Sequence, residues 1–98
     1  MVNDDIDFRA SLEQTEPPKG LSLYLQALWY DAKGDWGKAH DIAQDIVNEN
    51  GSWIHAYLHR KEGDGWNANY WYEKAGKSMP AKSLDDEWSD LVEVFLNK

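Results

Sequence analysis

The chain has no cysteine, so it forms no disulfide and offers no thiolate for catalysis or metal binding. Basic residues are scarce: ten Lys and Arg stand against 18 Asp and Glu, a net charge of −8. Phosphate backbones are held by clustered Lys and Arg, and no such cluster occurs, which argues against nucleic acid and against an anionic membrane surface. No apolar run approaches the length of a membrane span. The first ten residues, MVNDDIDFRA, are acidic and lack an apolar core, so a secretory signal is not expected and a cytoplasmic location is the default. Gly63-Asp64-Gly65 lacks the spacing of a phosphate-binding loop.

What is present is aromatic and helical. Six Trp and five Tyr give a chain of 98 residues large side chains to bury, enough for one domain. The acid is concentrated at the two ends, in residues 1–18 and 84–98, and keeps the protein soluble, with attraction of a basic partner as the functional alternative. The middle of the chain is balanced.

Periodicity divides the chain into helices. Asp4 or Asp5 can cap a short first one carrying Ile6, Phe8 and Leu12, ended by Pro17-Pro18. Leu21, Tyr24, Leu25, Leu28 and Trp29 repeat at helical spacing up to Lys33-Gly34. Asp35 is placed to cap a further helix to about Asn48, with Ala39, Ile42, Ala43, Ile46 and Val47 as its buried stripe. Asn50-Gly51 reads as its end, and Ser52 as the cap of the next helix, Trp53 to Glu62. Asp64 caps another, from about Trp66 to Lys77. Ser83 caps the last, helped by Asp85, Asp86 and Glu87 near the positive end of its dipole, and its stripe is Leu84, Trp88, Leu91, Val92, Phe95 and Leu96. Trp29, Trp36, Trp66, Trp71 and Trp88 read as packing between helices.

Gly34-Asp35 recurs as Gly63-Asp64, 29 positions on, and the same shift pairs Ala27 with Ala56 and Ala39 with Ala68. These residues, with Tyr72, Ala75 and Pro80, resemble a tetratricopeptide repeat: small positions, the turn, an aromatic and a closing proline. The runs GDWGKAHDIAQDI and WIHAYLHRKEGDGWNANYWYEKAG also resemble a group of small uncharacterised bacterial proteins with a two-hairpin layout. The resemblance implies an all-α fold: one domain of two stacked antiparallel hairpins, units at about 20–48 and 49–80, and a capping helix at 84–97. It also implies a non-enzymatic interaction module with no cofactor. An unknown peptide or protein partner would lie on the inner face of the stack, at Tyr24, Leu28, Asp31, Trp53, Tyr57, Arg60 and Lys61. Arg60 and Lys61 would receive a carboxylate. The competing expectation is that a terminal helix covers this face, since short solenoids need capping elements.

His55 and His59 stand four apart on one helix, a metal-ligand spacing, and His40 on the preceding helix can face them, with Glu62 or Asp41 to complete a site. The plain reading is that each histidine donates to a carbonyl or carboxylate between packed helices. The alternative is a small metal-binding or hydrolytic protein. A structural homodimer built on surface aromatics is the third reading.

Overall fold

The computed structural model describes residues 4–98, and among these every regular element is helical. The helices are α1 (Asp5–Ser11), α2 (Leu23–Ala32), α3 (Trp36–Gln44), α4 (Glu49–Lys61), α5 (Gly65–Lys74) and α6 (Leu84–Leu96). None is long and apolar enough to cross a membrane.

Local chemistry sets the boundaries. Asp4, Ser22, Asp35, Asn48, Asp64 and Ser83 each accept a backbone N–H of the following first turn. The α2–α3 and α4–α5 turns are built alike. Gly34 and Gly63 take positive φ, of 86° and 89°. In each turn the following Asp returns its N–H five residues back, Asp35 to Tyr30 and Asp64 to His59, at 2.9 Å. That Asp is also the cap of the next helix, so one Gly-Asp pair ends one helix and starts another.

α2 packs on α3, α3 on α4, and α4 most extensively on α5. Ala27, Ala39, Ala56 and Ala68 are fully buried, because only small side chains let these axes approach. α6 lies across α2 and α4, with α1 against it. Its stripe places Trp88, Leu91, Val92 and Phe95 in the core with Phe8, Leu28, Trp29, Ile54 and Leu58.

The α3–α4 junction departs from the sequence reading. α3 stops at Gln44, and Asn48, not Ser52, caps α4, its side chain 2.8 Å from the Gly51 N–H. Gly51 therefore lies inside the first turn of α4 rather than ending α3. It is there for close approach: a Cβ on Gly51 would stand 2.1 Å from the Ile46 carbonyl oxygen. The shortened α3 leaves Val47 outside the buried stripe and almost wholly exposed. Trp66, expected to pack between helices, is 77% exposed, because among the described residues no helix other than α4 packs on α5.

Candidate metal centre

α4 carries His55 and His59 on one side, one turn apart, their rings stacked with centroids 4.8 Å apart. α3 packs on that side and brings His40 over them. The Nε2 atoms of His40 and His55 face each other at 3.0 Å. Two imidazole nitrogens at that distance must have something between their lone pairs. In the metal-free protein this is one shared proton, so one nitrogen donates and the other accepts. Ligand nitrogens of all three rings lie within 4.8 Å of one another.

The rings are held from several sides. Trp36 stacks on His40 and Trp71 on His55, at 4.8 and 4.0 Å between centroids. Trp36 is itself fixed by its indole N–H, which donates to the Leu58 carbonyl at 2.8 Å. The His59 Nδ1 lies 2.6 Å from Glu62 Oε2. Glu62, one of the two carboxylates considered from sequence, is thus at the cluster. Asp41 acts on His40 only as a charge. The two tryptophans were read as core residues, and nothing in their spacing marks them as neighbours of histidine.

His55 and His59 are buried and His40 is half-buried. Burial, and then the neighbouring imidazoles, lowers the His55 pKa to about 4. His40 is lowered for the same reasons, opposed by Asp41 and Glu62. Folded His55 is therefore neutral near pH 7, the form a metal requires. The sign for stability follows from its ordinary value of 6.5. Below pH 6.5 the unfolded chain binds a proton that the folded chain refuses, so the metal-free protein loses stability from about pH 6.5 down to about 4. Urea unfolding at pH 7 and pH 5 should show this loss, and His55→Gln should reduce it. Equal losses in parent and variant would show that His55 is not held neutral.

The face proposed for a partner has a different fate. α6 occupies it, because its own apolar stripe must be buried. Leu28, Asp31 and Tyr57 are buried. The Trp88 indole donates to the Leu28 carbonyl at 3.1 Å, Tyr24 stacks on Phe95 at 4.5 Å, and Trp53 packs against the same ring. Arg60 and Lys61 do not await a ligand carboxylate: they donate to the chain's own buried carboxylates, Arg60 to Glu87 and Lys61 to Asp31, each at 2.9 Å. The Tyr72 hydroxyl and the Trp53 indole also donate to Glu87, and the Tyr57 hydroxyl to Asp31. The pKa values of both tyrosines are pushed up, chiefly by burial and then by these carboxylates, so they remain hydroxyl donors. Beside α6 remain a cleft of about 300 Å³ lined by Trp53, Lys77, Pro80 and Lys82 among others, and one of about 280 Å³ lined by Tyr57, Lys61 and Trp88 among others.

Glu87 was read only as a charge favouring the start of α6. Its spacing three after Leu84 and four before Leu91 sets it on the buried stripe, which was the available signal.

Fold and site together define a small all-α protein with a three-histidine cluster between two packed helices. No family model, no curated protein and no solved structure matches this chain.

Proposed function

We propose that this protein binds a divalent transition-metal ion, of the zinc type, through His40, His55 and His59. The observation that carries the reading is the facing pair of Nε2 atoms, 3.0 Å apart, with the third ring beside them. Two nitrogens on a tetrahedral zinc, each at about 2.0–2.1 Å, stand about 3.3–3.4 Å apart. The pair is within half an ångström of that spacing, and a metal would replace the shared proton. Imidazole ligands favour Zn, Cu, Ni or Fe over Mg or Ca. Three protein ligands leave a position for water or a small ligand, the pattern of catalytic rather than closed structural zinc sites, which is the basis for including hydrolysis in this reading.

Binding to the folded state alone raises stability by about 2.7 kcal/mol at a metal concentration one hundred times Kd. Zinc should therefore raise the melting temperature of the untagged protein, and should not do so in His40→Ala or His55→Ala. An unchanged melting temperature in the parent, with no zinc retained after dialysis, would remove the proposal.

A second reading, the interaction module, is favoured by the exposed Trp66 indole, stacked on Tyr70 along the outer side of α5. The tetratricopeptide resemblance supports it through the two like-built Gly-Asp turns and the buried alanines at matching positions. A homodimer through this face would sediment at twice the chain mass and be halved by Trp66→Ser. A monomeric parent would remove the homodimer form of this reading.

A further inference from the structure

We infer that Glu62 is the positioning residue of the three-histidine site, an inference that rests on the metal reading above. A histidine binds a metal through one bare nitrogen, and the hydrogen bond made by the other nitrogen decides which one is bare. Glu62 Oε2 accepts the Nδ1 proton of His59 at 2.6 Å. This fixes the tautomer whose Nε2 carries a free lone pair. It also restrains the ring about its Cβ, because the acceptor sits at the C-cap of the same helix, three residues on.

Two further observations single out Glu62. Asp64 is the other carboxylate near His59, within 4.8 Å in the group His59, Glu62 and Asp64. Asp64 is committed elsewhere: it caps α5 through the Asn67 N–H at 3.2 Å and accepts the Asn67 side-chain amide at 2.7 Å. Glu62 has no such second partner among the described side-chain bonds. The second observation is an internal control. The α2–α3 turn has the same backbone bonds as the α4–α5 turn, and the residue at the position of Glu62 there is Lys33. At the positions of His55 and His59 the first unit has Gln26 and Tyr30. Lys33 reaches away to the Leu12 and Gln14 carbonyls. The turn thus accepts either charge, so its geometry does not require an acid. The acid occurs where the histidines occur.

A carboxylate behind a ligand histidine orients the ring and raises its basicity, and its loss weakens metal binding about 10–100-fold. Glu62 acts through His59 and is not itself a ligand in this assignment. Its side chain is 38% exposed and fills no core position, so removing it should cost the metal-free fold no more than its one hydrogen bond to His59.

The test is a zinc and cobalt titration of the untagged protein, with melting temperatures of the metal-free forms. Parent, Glu62→Ala, Glu62→Gln and His59→Ala are compared. Parent should bind one ion, and His59→Ala should bind far more weakly. Glu62→Ala should bind about 10–100-fold more weakly than parent, with a metal-free melting temperature lowered only by the loss of one hydrogen bond. Glu62→Gln, whose amide oxygen still accepts the Nδ1 proton, should recover part of the loss. A Glu62→Ala protein that binds as tightly as parent overturns the positioning role and leaves the metal site standing. Loss of metal-free stability in Glu62→Ala equal to its loss of binding energy, with no recovery by Gln, also overturns it, by showing a structural role. A parent that binds neither ion removes the metal reading and this inference with it.

Discussion

Reversing Arg60 and Lys61 together, as Arg60→Glu with Lys61→Glu, is expected to abolish the cooperative fold. Glu87 and Asp31 are both about 2% exposed, and these two cations are the charges that pair them. Removing one partner of a buried ion pair costs about 3–5 kcal/mol, because the remaining charge is left without compensation. Here two pairs are broken and like charges are put in their place, the Arg60 pair counting more than that of Lys61, whose side chain is 39% exposed and partly screened by solvent. A domain of this size has a total stability of about 5–15 kcal/mol, so the expected cost consumes much or all of it. The pairs also tie the helices together. Glu87 on α6 gathers Arg60 and Trp53 of α4 and Tyr72 of α5. Asp31 on α2 gathers Tyr57 and Lys61 of α4. Circular dichroism during heating is the check. A cooperative melt within a few degrees of the parent would mean that these cations are solvated and their face is open, as the resemblance to peptide-binding repeats implies.

Gly51→Ala is expected to be the most damaging one-methyl change in the chain. The new Cβ would meet backbone, the Ile46 oxygen at 2.1 Å, and also the Ile46 Cβ at 2.7 Å. Neither is the movable end of a flexible side chain, so the Asp45–Asn48 connection must move off α4. The cost should reach or exceed the top of the ~1–3 kcal/mol range for overpacking. Gly37 provides the comparison. It also lies within a helix, α3, and nothing stands within 4 Å of a Cβ built there. Gly37→Ala should be stabilising, by about 0.4–1 kcal/mol, through the unfolded chain's lost freedom. Urea unfolding of the two variants should therefore move in opposite directions. Equal shifts would show that the Gly51 contact with Ile46 is not made.

These positions also show what a sequence can disclose. The Gly-Asp turns, four of the six helix caps and the amphipathic stripe of α6 were legible, because each is set by residues close together in the chain. Gly51 was misread because a glycine after an apolar run has the same local signature whether it ends a helix or admits a neighbouring backbone. Only the position of Ile46 distinguishes the two. Spacing likewise could not choose between an open inner face and one covered by a terminal helix. Arg60 and Lys61 looked like an exposed pair of charges, and their partners lie 27 and 30 residues away. Glu87 was hidden by its own charge, since an acid near a helix start has a sufficient local explanation. The histidines were legible as a spacing on α4 and as a candidate on α3. That two nitrogens confront each other follows from how α3 settles on α4, which spacing does not encode, whereas Glu62 stands behind the third ring at a local spacing of three.

The central claim is that His40, His55 and His59 form one metal site. Visible absorption during cobalt(II) titration of the untagged protein tests it most directly, because low-symmetry tetrahedral cobalt absorbs far more strongly than octahedral aqueous cobalt. The expected result is an intense band that saturates at one ion per chain, is displaced by zinc, and is absent in His40→Ala and in His55→Ala. A folded parent that develops no such band, or one that persists in both variants, would contradict the claim.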